Sequence, residues 1–175
     1  MLGAVIAGGA SHRFGGDKAA ALLGTMPLID HVITALTPQV DALVIVGRGW
    51  RDHPKIEDHP FRCGPLSGLC AALRRAHQLG HADVLTAGCD VLPLPADLAV
   101  RLGGDGPAVV AGQRLFGRWP SALCGVLEAH IRDQDDHSLR HWVAVSSART
   151  VTFDTVFHNL NTAGDLEKFA RAKIF

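Results

Sequence analysis

The chain carries no net charge: 17 lysines and arginines balance 17 aspartates and glutamates over 175 residues. No global field therefore draws it to nucleic acid or to a membrane, and any anion it binds must meet a local site. Long hydrophobic runs are lacking too. The apolar stretch Leu2 to Ala7 is far too short to span a bilayer and has no basic segment ahead of it, so neither a signal peptide nor a membrane anchor is expected. Four cysteines, Cys63, Cys70, Cys89 and Cys124, form no CxxC pair. Without an export signal they read as reduced, mostly buried thiols, and the expected compartment is the cytoplasm. Lysine is scarce, four against thirteen arginines, so a lysine inside a functional loop stands out from surface filler. No repeat, linker or low-complexity segment divides the chain. Its length suits one domain, residues 1–175, with a sizeable core.

Strand-like and helix-like segments alternate. Leu2–Ala7, Ala42–Val46, Asp83–Ala87 and Pro107–Ala111 are short apolar runs suited to buried parallel strands. Leu28, Val32, Ile33 and Leu36 share one helical face, with Pro27 suited to the first turn and Pro38 closing it. A second helix is expected over 66–79, stopped by Gly80, and a short one near 96–102. Further on, 125–147 reads as one helix, Thr150–Phe153 and Val156–Leu160 as strands, and 163–172 as a closing helix. The alternation predicts a three-layer α/β/α sandwich with a mostly parallel sheet. Ligands of such sheets sit beyond the carboxyl ends of the strands. The loops after Ala7, Val46, Ala87 and Ala111 should therefore share one mouth.

The first of these loops, "AGGASHRFGGDK" (7–18), holds four glycines, Arg13 and Lys18. Glycines let the backbone turn tightly and present its N–H groups as an anion nest, to which Arg13 and Lys18 add charge. Two common phosphate loops are excluded by spacing. A P-loop needs GxxxxGK[ST], but Lys18 follows Asp17 and precedes Ala19. A dinucleotide fingerprint needs GxGxxG, but Gly8 and Gly9 are adjacent, and Asp30 falls inside a helical pattern.

Residues 6–18 resemble the GTP-binding signature of molybdenum cofactor guanylyltransferases, roughly LAGGxSxRMGxDK, with Phe14 in place of methionine. "IEDHPFRCGPLSGLCAAL" (56–73) resembles the family's acidic residue followed by GPLxGL. "LTAGCDVLPLP" (85–95) resembles its strand-end aspartate segment, and "NLNTAGDL" (159–166) its NxNTPxDL. "RWPSAL" (118–123) is similar to a run that follows its fifth strand, although Trp119 stands where a polar residue is usual. The resemblance implies a Rossmann-like nucleotide-diphospho-sugar transferase fold. It implies transfer of GMP from GTP to molybdenum-bound molybdopterin, giving the guanine dinucleotide cofactor and pyrophosphate.

On that pattern Ile6, Ala7, Gly8, Gly9, Lys18, Gly47, Asp58 and Asp90 bind GTP. Arg13, Lys18 and Asp90 act in catalysis, Asp90 as the Mg²⁺ ligand, and Asn159 and Asn161 meet the molybdopterin. Gly47 departs from the family, which often has asparagine there. The expected partners are GTP and molybdenum-molybdopterin, with other cofactor-assembly proteins and apo-molybdoenzymes beyond them, and neither nucleic acid nor membrane.

Other readings share parts of this pattern. A cytidylyltransferase or sugar-phosphate nucleotidyltransferase would keep the loop and Asp90 but change base and acceptor. A non-catalytic partner in cofactor assembly would bind nucleotide without turnover. A guanine-nucleotide switch lacks its P-loop and NKxD run here. His137 and His141 have metal-compatible spacing but no third ligand nearby, so they read as structural.

Overall fold

The computed structural model describes residues 1–8, 14, 16–58 and 63–172. In chain order, β1 (Leu2–Ile6) is followed by the small hairpin of β2 (Leu22–Leu23) and β3 (Met26–Pro27), then α1 (Leu28–Leu36), β4 (Ala42–Val46), β5 (Lys55–Ile56) and α2 (Pro65–Leu79). Next come β6 (Asp83–Gly88), β7 (Val91–Leu92), α3 (Leu98–Arg101), β8 (Ala108–Val110), β9 (Gln113–Pro120), α4 (Cys124–Asp133), α5 (Leu139–Val145), β10 (Arg149–Val151), β11 (His158–Asn159) and α6 (Ala163–Arg171). Seven strands form one sheet in the order β10-β8-β9-β6-β1-β4-β5. All run parallel except β9, which lies antiparallel between β6 and β8.

Side-chain alternation along the central strands builds two cores. Val5, Ile45, Leu85 and Ala87 face the layer of α1, α3 and α6, where Val32, Leu36, Leu98 and Phe169 cover them. Leu2, Ala4, Ile6, Val44, Val46 and Val84 face α2, α4 and α5, meeting Leu69, Leu73, Leu127 and Trp142. The three-layer sandwich expected from the sequence is therefore the fold. Each large apolar side chain buried in this way contributes about 1.5–3 kcal/mol. Among the described residues no helix is long and apolar enough to cross a membrane.

Local chemistry sets the helix ends. Pro65 occupies the first turn of α2, and Gly80 stops it in the left-handed region at φ 75°, its N–H bonding back to the Ala76 and His77 carbonyls. Thr162 and Asp165 form a reciprocal capping box at the start of α6.

Two expectations need correction, and one strand was not foreseen. The single helix over 125–147 is two, because residues 134–138 offer the backbone other partners. Asp136 accepts the Ser138 N–H at 2.8 Å, and Ser138 Oγ accepts the His141 N–H at 3.1 Å to start α5. His137 and His141 fall on either side of that start. His137 Nε2 faces the Ile131 carbonyl at 2.9 Å, and His141 stacks on His130 at 5.2 Å, both packing roles. The expected strand over 156–160 shrinks to β11, which pairs with β7 outside the large sheet.

β9, finally, has no counterpart in the sequence reading. It carries Trp119, fully buried, whose Nε1–H donates to Thr86 Oγ1 at 3.1 Å. Gly117 provides the room, since a Cβ there would lie 2.5 Å from that indole nitrogen. Trp119 is thus a core residue between β6 and the α4–α5 layer. Trp119→Ala is expected to cost about 3–5 kcal/mol in urea unfolding, as for deletion of a fully buried aromatic side chain; a loss under ~1 kcal/mol would contradict this packing.

Candidate active site

Register decides what meets at the sheet's carboxyl edge. Ile6 lies opposite both Val46 and Gly88, and Val46 lies opposite Ile56. The chain therefore leaves the sheet at neighbouring points as Ala7-Gly8, Gly47-Arg48, Cys89-Asp90 and Glu57-Asp58. Backbone bonds tie these exits together: Ala7 N–H to the Val46 carbonyl (3.0 Å), Gly47 N–H to Ile56 (2.9 Å) and Cys89 N–H to Ile6 (3.3 Å). Ile6 and Ala7 thus root the glycine loop in the sheet. Gly9 and Arg13, which the sequence places in that loop, lie outside the described residues.

Lys18 emerges from the loop into the mouth. Its Nζ donates to Asp90 Oδ2 at 2.6 Å and to Asn161 Oδ1 at 3.1 Å. Both members of the ion pair are largely withdrawn from solvent, at 16% and 24% side-chain exposure. Three segments far apart in sequence meet here, and a distinct device holds each. Asp90 follows β6. Lys18 opens a turn closed by the Ala21 N–H on its own carbonyl at 3.2 Å. Asn161 is delivered by the β7–β11 pairing and by the Leu160 N–H, which bonds the Asp90 carbonyl at 2.8 Å. Asn159, by contrast, is exposed, with its backbone opposite Val91. Buried Cys89 packs beneath Asp90, and its burial pushes the thiol up to about 12, so it stays protonated.

The second half of the mouth is a carboxylate against glycines. A Cβ on Gly8 would lie 2.3 Å from Asp58 Oδ2, one on Gly47 2.9 Å from the same atom, and one on Gly68 3.4 Å from Oδ1. Asp58 is exposed as a residue, but its carboxylate oxygens lie against this backbone. Desolvation there, with Glu57 beside it, raises its pKa above the usual aspartate value. Among the described residues no side chain or backbone N–H pairs with it, which leaves a carboxylate beside Gly8 and Gly47 able to accept a donor. The GPLxGL stretch acquires a physical reason as well. Pro65 and Leu66 start and anchor α2, and Gly68 admits Ile6 and Asp58 where a side chain would collide.

Gly47 departs from the family pattern for a structural reason that sequence alone does not show. Its φ is +84°, and a Cβ there would lie 2.5 Å from Gly8 Cα. No side chain fits at that point. The residue beyond it, Arg48, turns to Asp17 instead, with a bidentate contact at 2.5 and 2.6 Å. That contact was invisible in the sequence, since nothing in the spacing of positions 17 and 48 signals it.

Two oxygens of different residues converge on one cation at Lys18 Nζ. An aspartate and an amide oxygen are the hard donors that Mg²⁺ accepts, with phosphates and waters completing its shell. The residues present therefore fit that ion. Among the described residues no three His, Cys, Asp or Glu side chains could hold a metal by themselves, so the remaining ligands would have to come from substrate and water.

Residues 3–151 match the family model of the MobA-like NTP transferase domain. Curated molybdenum cofactor guanylyltransferases are similar over nearly the whole chain. The protein from Sinorhizobium fredii is 34% identical, over 94% of this chain and 88% of its own. That from Rhizobium leguminosarum is 35% identical, over 98% and 92%. Among solved structures, molybdopterin-guanine dinucleotide biosynthesis protein A from Archaeoglobus fulgidus superposes with a TM-score of 0.74 at 20% identity, covering 98% of each chain. UDP-glucose pyrophosphorylase from Acinetobacter baumanii reaches 0.73 at 10% identity, over 97% and 91%. These two structures speak for the fold.

The close approach at Gly47 makes it the sharpest probe of this geometry. Gly47→Ala is expected to destabilise the fold by about 1–3 kcal/mol through its backbone conformation and to shift Gly8 away from Asp58. Nucleotide affinity, measured by titration below the melting temperature, should fall with it. Unchanged affinity would remove Gly8 from the binding surface.

Proposed function

We propose a guanylyl transfer for this chain, which belongs to the MobA-like NTP transferase family and is a nucleotidyltransferase. The reaction is attack by the terminal phosphate of molybdenum-bound molybdopterin on the α-phosphorus of GTP. The phosphorus–oxygen bond to the β-phosphate breaks, pyrophosphate leaves, and the guanine dinucleotide cofactor results. The observation that carries this reading is the convergence of Lys18, Asp90 and Asn161 at one sheet edge, beside an Asp58 carboxylate that has no partner among the described residues.

Two anions must meet, so alignment and charge neutralisation are the main tasks of the protein. Gly8 and Gly9 line the nucleotide by backbone, rooted through Ile6 and Ala7, while Gly47 keeps the floor clear. Lys18, with Arg13 from the same loop, neutralises the β- and γ-phosphates and the departing pyrophosphate. Asp90, with the Asn161 oxygen, would hold Mg²⁺, which supplies Lewis-acid neutralisation of the triphosphate when bound. Asn159 and Asn161 face the pterin side. No side-chain general base is required, because a phosphate nucleophile is already ionised.

Asp58 accounts for the choice of base. Guanine presents N1–H and N2–H₂ as adjacent donors, which suit the two oxygens of one carboxylate. Cytosine offers one donor, its N4 amino group, beside the N3 acceptor, so one carboxylate oxygen would be left unpaired, at about 1–3 kcal/mol. The chain acts as one domain, residues 1–175, in the cytoplasm. Its product passes to other cofactor-assembly proteins or apo-molybdoenzymes.

Three outcomes test the reading. Pyrophosphate release should depend on molybdopterin and favour GTP over CTP; equal turnover with both would overturn the guanylyl assignment. Asp90→Asn keeps the size but removes the charge, so transfer should fall by roughly 10²-fold with nucleotide binding partly retained. Asp97→Asn, at the exposed start of α3, should match wild type. Near-normal transfer by Asp90→Asn would refute the metal role.

The third outcome concerns pH. The raised pKa of Asp58 means that it takes up a proton sooner on acidification than an ordinary aspartate. Only the ionised form offers four acceptor sites. GTP affinity should therefore drop on the acid side and level off above that pKa, and Asp58→Asn should flatten the profile. An acid limb that persists in the variant would assign it to another group.

A further inference from the structure

The contact between Arg48 and Asp17 has no task in the reaction described above. Its geometry is specific: Arg48 Nη1 meets Asp17 Oδ1 at 2.5 Å, and Nη2 meets Oδ2 at 2.6 Å. The same guanidinium lies over the Trp50 ring, 5.2 Å from its centroid. Trp50 is held in turn, since its Nε1–H donates to Asp30 Oδ1 on α1 at 2.7 Å. Helix α1 is thus connected through Trp50 and Arg48 to Asp17, and Asp17 is the residue before Lys18. Arg48 above all, and to a lesser extent the nearby Ala20 and Ala19 backbone, holds the Asp17 carboxyl below the usual aspartate range.

We propose that Arg48 is a positioning residue: by clamping Asp17 from the end of β4, it fixes the turn from which Lys18 reaches the nucleotide's β- and γ-phosphates. The inference rests on the phosphate role of Lys18 given above. A lysine has a long, freely rotating stem, so the placement of its backbone governs where Nζ can go. The outgoing side of the turn is already tied, with Ile29 N–H on the Ala19 carbonyl at 3.1 Å and Leu28 N–H on the Ala21 carbonyl at 2.9 Å. On the incoming side, the Arg48–Asp17 pair is the side-chain tie among the described residues. A planar fork suits that job, because two parallel bonds set orientation as well as distance. The pair is too open to serve global stability, with side chains 26% and 47% exposed. Its consequence is local.

Equilibrium titration with GTP and with GMP tests this, because only GTP carries the phosphates that Lys18 meets. Arg48→Ala should weaken GTP by roughly fivefold, the order expected of one partly exposed charge pair. GMP affinity and melting temperature should stay near wild type. In a Lys18→Ala background, Arg48→Ala should cost GTP nothing further. Asp17→Asn gives the sharpest contrast. Removing a negative charge from the mouth should strengthen GTP binding if bulk electrostatics governs, whereas loss of the clamp weakens it. Arg48→Lys keeps the charge without the fork and should recover only part of the loss.

Additive losses with Lys18→Ala, tighter GTP binding by Asp17→Asn, or full recovery by Arg48→Lys would each overturn the proposal and make Arg48 a direct or long-range contact. Lys18→Ala losing GTP and GMP equally would overturn the phosphate role of Lys18, and this inference with it. A normal Lys18→Ala effect with additive Arg48→Ala loss overturns the inference alone.

Discussion

Strand β1 is the constraint on which the rest depends. It is hydrogen-bonded along both edges, to β4 and β6, and both of its faces are covered. A strand in that position cannot slip by one residue without turning Leu2, Ala4 and Ile6 into the wrong core. Its register therefore determines where its neighbours end, and with that which loops share the mouth. Gly8, Gly47 and Asp90 are close because Ile6, Val46 and Gly88 are aligned. The site has no independent scaffold.

On that frame the polar groups divide into two kinds. Lys18, Asp90 and Asn161 satisfy one another, in a place withdrawn enough from water for the attraction to count. Asp58 is different, a carboxylate set against backbone with no partner among the described residues. A satisfied cluster keeps its shape until a better partner arrives, and an unpaired acceptor is able to accept a donor. One triphosphate with a donor-bearing base would engage both. Both groups sit where the strands end, which leaves the chemistry in loops and the positioning in the sheet, as in other open α/β folds.

The readable parts of the fold were those whose local and global preferences agree. The parallel strands are short apolar runs, α2 is bounded by Pro65 and Gly80, and α1 has a clean apolar stripe. β9 escaped because its two-faced burial, antiparallel direction and internal Gly117 combine apolar and arginine residues with no single period. The break between α4 and α5 did leave a signal in Asp136 and Ser138, both capping types, but the apolar spacing across it is still compatible with helix. Trp119 looked like a departure from a family motif, and burial against Thr86 and Gly117 makes it a core residue.

The sequence by itself determined the layered α/β class and the residue types at the mouth, since those follow from periodicity and local chemistry. Tertiary structure decided which of them meet. Lys18 and Asp90 are 72 positions apart, and Lys18 and Asn161 are 143 apart. Such contacts exist only once strand register and the β7–β11 pairing have been set. The glycine at position 47 belongs to the same class, because its necessity is an approach of Gly8 from another strand. Nor could the partnership of Arg48 with Asp17 be read from the chain, since a bidentate pair is a matter of where two side chains are delivered, and delivery is settled by packing.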